Sequence, residues 1–499
     1  MMSAAFYRDR WQEMKDRRDE VQRRRLPEEI ALAFLDRHFF NDSFETDYIQ
    51  LLCEMATSAE DETLACAGAG ALFGIVVESL CDDFEELQTK AYNRLMSQIL
   101  TYCRAQPGGE ALDSYMNQFG LREFDDLYRR AERLRKSSCN YRDLPAAPSK
   151  ILLLSRVTLG ADVAITSVLV QRFARLFPDA EIVIIGSAKV HGLFAGNPRI
   201  RLCEVNYLQK GGLMERLESW FQVLQRVDTE SHAVPEGQML LVDPDSRLSQ
   251  LGVLPLTDDR HYLFFNSRGS LAYDPKMSVS EMANHWFDQV TGSRDFCYPA
   301  LSLEEPIRDA ALRYRESLLQ AGCRRIVSMN LGVGGNSRKR IDGSFEQEAV
   351  LEILDEASTV LLLDRGFGDE ELARTGNLLD AARRAGHPVL DTSFAGLMGA
   401  GTGAGLVGIQ AGIAEAAALI GVSHEYIGYD SACQHLAAAM DVTTYTIFAG
   451  SNNTRFVRRW RPFGLGRTEL ILVDTLTHSP VFDAHTVCMR LMHLRRGTR

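Results

Sequence analysis

The sequence predicts an α/β protein: two α/β domains facing a cleft, preceded by an all-α N-terminal domain. Three observations predict it. Up to about residue 146, apolar residues recur at helical spacing and β-rich runs are few. From residue 150, short apolar runs alternate with amphipathic stretches, as strands do with crossover helices in a parallel sheet. After a helical stretch over 307–321 the alternation starts again.

Composition narrows the class. A chain of 499 residues suggests two to four domains, and 45% hydrophobic with 24% charged residues fits globular domains with real cores. A net charge of -12 argues against a general nucleic-acid binder. The ten cysteines form no C-x-x-C pair, which argues against zinc ribbons and thioredoxin-like sites and fits reduced thiols in a cytosolic chain. The first twenty residues lack the apolar core of a signal peptide. The uncharged run 64–77 lies between Glu62 and Glu78, is too short to span a bilayer, and predicts a buried helix.

In the leading segment, Ile30, Leu32, Phe34 and Leu35, then Leu87, Tyr92, Leu95 and Ile99, mark helices. Arg23–Arg24–Arg25 reads as a solvated face, with contact to a membrane surface or anionic partner as the competing reading. Prolines 145 and 148 end this domain near 146. Strands are expected over 151–155, 182–186, 200–205, 239–242 and 262–265, closing a first α/β domain over 147–306. A second, over 307–476, has strands at 326–332, 360–364, 387–390, a run reaching Asp430, and 444–448. The glycine-rich 396–408 reads as a mobile loop over the cleft, because it lacks the acidic residue that closes a dinucleotide fingerprint. A last helix within 477–499 is expected to return to the first α/β domain.

Two facing α/β domains place a ligand at the carboxyl ends of their strands. Six segments there carry candidate chemistry. In the turn 156–162, Asp162 is a candidate base, or else a helix cap. The loop GVGGNSRKR (332–340) offers backbone N–H groups at Gly334 and Gly335, donors at Asn336 and Ser337, and charge at Lys339 and Arg340, a phosphate-binding set without the Walker A ending. In DRGFGDEE (364–371) a strand-end carboxylate suits a ribose hydroxyl, with an acidic helix start as the alternative. Asp243 and Asp245 are spaced to hold a divalent cation on a diphosphate, although Ser246 and Arg247 follow and suit pairing instead. The run RFVRRWR (455–461) suits an anion or a surface patch. Finally, Asp430 and Ser431 precede a helical pattern with His435, either a simple N-cap or a helix N-terminus for phosphate.

Together ILLLSRVTLGADVAITSVL, GVGGNSRKR and EYIGYDSACQHLAAAMDVTTYTIFAGSNNTRF resemble glycosyltransferase family 9, the ADP-heptose:lipopolysaccharide heptosyltransferases, over about residues 150–475. Asp162, Lys339, Asp430, Ser431 and His435 match by position. Ala161 stands between Gly160 and Asp162, Ala432 replaces the usual glycine, and Ile341 the usual aromatic. The family has no comparable helical N-terminal domain.

The resemblance implies a GT-B-like pair of Rossmann-like domains. It also implies inverting, metal-independent transfer of a heptose-like sugar from a nucleotide-sugar donor, ADP-heptose in the family, to a glycan, glycolipid or protein acceptor. On it, Asp162 takes the acceptor proton. The loop at Gly334–Ser337 with Lys339, Ser431, Ala432 and His435 meets the donor phosphates, Asp430 the sugar, and Glu370 the ribose. Arg156, Arg340, Arg455 and Arg458 are candidate anion or acceptor contacts, and no cofactor is implied. A cytoplasmic enzyme, with peripheral contact at the inner face of the cytoplasmic membrane, is the matching expectation. The rival readings are a metal-dependent transferase using Asp243 and Asp245, and a non-catalytic sugar-nucleotide-binding or scaffold protein.

Overall fold

The computed structural model describes residues 2–15, 20–58, 61–81, 84–136, 147–208, 210–269, 271–334, 336–399, 405–475 and 483–497. Two all-parallel sheets organise the chain. The first runs β1 (Lys150–Leu154), β2 (Glu181–Gly186), β3 (Ile200–Glu204), β4 (Met239–Asp243) and β5 (Tyr262–Phe264) in the order β3-β2-β1-β4-β5. Its central strands are continuous runs of Ile, Leu and Val because both faces are covered. Ile151, Leu153, Ile184 and Val242 share one core with helices Ser167–Leu176 and Val279–Thr291.

The opposite face is covered differently. Leu152, Leu154, Val183, Ile185 and Leu241 belong to the same core as Leu26, Ile30, Leu95, Met96 and Leu127 of the leading helices. The core of the leading helices is thus continuous with that of helix Leu213–His232 and the back of the first sheet. Within it, Glu62–Cys81 is helical throughout, with a π-helical stretch at Ala71–Val77. That helix is long and apolar enough to cross a membrane by length and composition, yet 56% of its apolar window is buried in protein. Of the three arginines at 23–25, Arg23 pairs with Asp61 at 2.8 Å and Arg25 with Glu29 at 2.8 Å.

The second sheet contains β6 (Arg325–Asn330), β7 (Thr359–Asp364), β8 (Val389–Ser393), β9 (Gly405–Gln410), β10 (Glu425–Tyr429), β11 (Thr443–Phe448) and β12 (Thr468–Leu472). Its order is β12-β11-β10-β6-β7-β9-β8. The chain leaves β6 in one direction and returns on the other side as β10. The switch point that opens a crevice thus lies between β6 and β10. In the first sheet the equivalent point lies between β1 and β4.

Three expectations are corrected here. The glycine run is not a free loop throughout: Gly405–Gln410 is β9, an interior strand paired with β7 and β8, while 400–404 lie outside the described residues. Glycine is needed there for space. A Cβ on Gly405, whose φ is +146°, would stand 2.2 Å from the Pro388 carbonyl oxygen. The edge strand β12 has no counterpart in the expected set. The C-terminal helix, Ala484–Arg496, packs on the second sheet and not on the first domain. Val487, Cys488, Leu491 and Met492 enter the core with Ile427, Tyr445 and Ile471. Arg495, fully buried, holds Glu425 at 2.5 Å and Glu356 at 3.0 Å. Arg325 shares Glu425 at 2.9 Å. Burial raises the Glu425 carboxyl, but hydrogen bonds from Arg495 and Arg325 outweigh it, and the net displacement is downward.

Candidate functional site

The site is best built from β10. This strand ends at Tyr429, and Ser431 in extended conformation starts helix Ala432–Ala439 without a side-chain cap. The first N–H groups of that helix have no intrahelical acceptor and carry its partial positive charge. Asp430 is 5% exposed and is clamped from both sides. Its Oδ2 accepts from Lys339 Nζ at 2.7 Å and its Oδ1 from Gln434 Nε2 at 2.6 Å. Lys339 therefore stands directly over the helix start, with its Nζ 5.6 Å from the centre of the Phe456 ring.

The first domain closes this corner from the opposite side. A Cβ on Gly160 would lie 3.1 Å from His435 Cδ2 and 3.2 Å from Ala432 Cα, a tight fit that would push the turn after β1 back by a few tenths of an ångström. Ala432, where the resembled family has glycine, forms part of this seam. His435 is buried between that turn and Trp460, the two rings 6.0 Å apart. Burial, and then the nearby Lys339 charge, pull its imidazole down to about 3. His435 is thus neutral at physiological pH. An unfolded histidine gains its proton near pH 6.5, so this burial costs stability progressively as pH falls below that value. Between pH 7 and pH 5 the cost is about 2 kcal/mol. Urea unfolding at the two pH values is expected to show that drop in the parent chain and to lose this component in His435→Gln.

Asp162 lies just across the seam, and its placement changes its expected role. It is fully buried. Oδ1 accepts from the Arg156 backbone N–H at 2.8 Å and the Thr166 hydroxyl at 2.7 Å, and Oδ2 from the Ser155 hydroxyl at 2.7 Å. Burial pushes the carboxyl up, and those three bonds pull it back. With no exposed surface and both oxygens engaged, Asp162 as folded anchors the strand-to-helix turn and is not open to an acceptor hydroxyl.

Beside the corner, at the carboxyl ends of β6 and β7, lies a narrow cleft of about 20 Å³, room for about one water molecule as folded. Apolar Leu362, Ile409, Leu419 and Ile420 line it, together with Ser328, Asn330, Asp364 and Tyr426. Asp364 accepts from Asn330 Nδ2 at 2.7 Å and from the Gly366 N–H at 2.9 Å. The hydroxyls of Tyr426 and Ser431 are both buried without a well-formed hydrogen bond. Such a group costs about 1–3 kcal/mol, which a polar ligand atom would relieve. Asn330 and Tyr426 were not among the expected site residues. Their available signal was a polar residue ending an apolar strand and a tyrosine opening the next.

The other expected residues divide. Gly334, Asn336 and Ser337 are exposed on the loop that carries Lys339, and Gly335 lies outside the described residues. Arg340 pairs with Glu370 at 2.8 Å and Glu371 at 3.4 Å, tying that loop to the helix Asp369–Arg384. Arg156 is not available to an anion. It is buried, donates to the Pro244 carbonyl at 2.6 Å and Ser267 Oγ at 2.5 Å, and burial followed by Arg268 pulls its guanidinium down to about 10. Asp243 and Asp245 are likewise committed. Asp243 accepts from Tyr262 and from the Ser246 N–H, and Asp245 pairs with Arg268 at 2.5 Å and Arg156 at 3.7 Å. A cation there would face two guanidinium groups. No cluster of three or more His, Cys, Asp or Glu side chains suited to a metal occurs among the described residues. Arg455 pairs with Glu85 of the leading segment, and Arg458 is exposed.

Fold and site define an α/β protein of two parallel sheets whose elements meet at the start of helix Ala432–Ala439. No family model matches the sequence, and no curated protein does. Among solved structures the chain is similar to the glycosyl transferase family 9 protein from Veillonella parvula DSM 2008. The TM-score is 0.50 at 14% identity, over 70% of this chain and 97% of that one. Two E. coli structures also match: heptosyltransferase WaaC with ADP (TM-score 0.46, 12% identity, 69% of this chain and 99% of that one) and ADP-heptose lps heptosyltransferase II (0.44, 15%, 70% and 99%). The Veillonella likeness shows a shared fold: the two facing α/β domains.

Proposed function

We propose that the chain binds a nucleotide-diphosphate sugar at this corner and transfers the sugar, heptose-like as the sequence resemblance implies, to a hydroxyl of a glycan, glycolipid or protein. One observation carries the reading. Lys339, the start of helix Ala432–Ala439 and the Gly160 turn converge beside a cleft that holds Asn330, Asp364 and the buried Tyr426 hydroxyl. In this reading the narrow cleft widens to take the nucleoside, with Asp364 toward the ribose. Lys339 and the helix N–H groups take the diphosphate, whose charge grows as the sugar leaves. Asp430 fixes the Lys339 ammonium over the helix start. The positive charge at the leaving group then comes from these two sources, and inversion follows from direct attack by the acceptor hydroxyl on the anomeric carbon, the bond to the diphosphate oxygen breaking as the new one forms and the hydroxyl proton passing to Asp162 in a state where its turn has opened. The chain would work in the cytoplasm, against the membrane where its acceptor is lipid-linked.

A second reading is a sugar-nucleotide-binding protein without turnover, and the sealed Asp162 favours it. Thermal unfolding with ADP-, GDP-, UDP- and TDP-sugars tests the shared premise. A ligand at 100 times its Kd adds about 2.7 kcal/mol. At least one nucleotide is expected to raise the midpoint of the parent chain by several degrees and to bind Lys339→Met at least tenfold more weakly. If none stabilises the parent, both readings fail; product formation separates them.

A further inference from the structure

The run 455–461 lies within the second domain's part of the chain, yet its side chains reach away from that domain. In helix Thr454–Trp460, Arg455 pairs with Glu85 and donates to the Phe84 carbonyl at 3.1 Å. Arg459 donates to the carbonyls of Asp274 at 3.0 Å and Met277 at 2.9 Å, and Arg461 to Glu281 at 2.8 Å. The Trp460 ring meets the Phe84 ring edge-on at 6.2 Å. The same helix touches the donor corner: Phe456 lies under Lys339, Trp460 against His435, and the Trp460 carbonyl accepts from Gln434 at 3.3 Å. Phe84 itself is 3% exposed although its φ is +53°, a conformation that a bulky residue keeps only where its surroundings hold it.

We propose that helix Thr454–Trp460 is a clasp, and that Phe84 and Glu85 of the leading helical segment are positioning residues for the donor corner, acting through it. The proposal rests on the corner reading above for what the corner binds, but not for the coupling itself. Grip at Phe84 and Glu85 holds Trp460 on His435 and Phe456 under Lys339, so the helical segment sets the order of a site it does not touch.

Amide hydrogen exchange of the full chain, without ligand, tests the coupling. In Glu85→Gln and in Phe84→Ala, exchange is expected to rise at least threefold over 431–436 as well as over 455–460, with β6 and the urea midpoint of Glu85→Gln unchanged. The charge swap Glu85→Arg with Arg455→Glu is expected to restore parent exchange over 431–436. ADP is the binding probe, and its Kd is expected to shift at least threefold in Glu85→Gln. Faster exchange confined to 455–460, unchanged exchange, failure of the swap, or an unshifted ADP Kd overturns the proposal. If the parent chain binds no ADP, the nucleotide that stabilises it takes the place of ADP as probe; if none does, the corner reading fails and exchange over 431–436 alone decides the clasp.

Discussion

Asp162→Asn is expected to unfold with about 2 kcal/mol less stability than the parent chain, and Asp162→Ala with a larger loss. The carboxylate satisfies one backbone N–H and two hydroxyls in a site closed to water. An amide turns an N–H toward one of these donors, and alanine leaves all three without an acceptor, at about 1–3 kcal/mol for each buried group. An anchoring role and a base role part company in this measurement. A general base contributes about 10²–10⁴-fold to turnover without being required for folding. If urea unfolding gives Asp162→Asn the parent's stability while transfer is lost, the anchor assignment is wrong and the carboxylate is the base of a more open state.

The second large effect is expected far from the corner. Arg495→Met removes the fully buried guanidinium that holds Glu425 and Glu356, and the loss is about 3–5 kcal/mol, because the buried Glu425 carboxylate keeps only Arg325 of its two partners. Neutralising that acid should recover part of it: Arg495→Met combined with Glu425→Gln is expected to be more stable than Arg495→Met alone. Denaturant midpoints of the single and double variants decide this, and equal midpoints would show that the buried charge is not the cause. The effect ties the last helix to β10, the strand that leads into the candidate site.

The alternation of apolar runs located ten of the twelve strands to within a few residues, because strands buried on both faces advertise themselves as unbroken Ile, Leu and Val. The two it missed fail that test. Gly405–Gln410 opens with glycine where Pro388 leaves no room for a side chain, and composition alone reads this as a loop. Thr468–Leu472 is an edge strand with only one clearly buried residue. Lys339, Asp430, Ser431, Ala432 and His435 could be singled out because they sit within two short motifs, although the contact of Lys339 with Asp430 joins residues 91 positions apart. What the sequence could not show was who else had claimed the charged groups. Asp162 finds Thr166 one helical turn away and Ser155 just after β1, and Arg455 meets a partner 370 positions earlier in the chain. Long-range packing took Arg455, whereas the partners of Asp162 all lie within seven positions of it and act only once the turn after β1 has folded.

The shared core of the leading helices and the first sheet has a consequence for synthesis. The helices up to Lys136 leave the ribosome with an apolar face whose cover includes Leu241 of β4, about a hundred residues later in the chain. At ordinary elongation rates of about 5–20 residues per second, that face waits roughly 5–20 s for its partner. Nascent chains of this protein should therefore depend on holding factors over that interval, and a pause in translation between the last helix and β4 should be costlier than one placed after it.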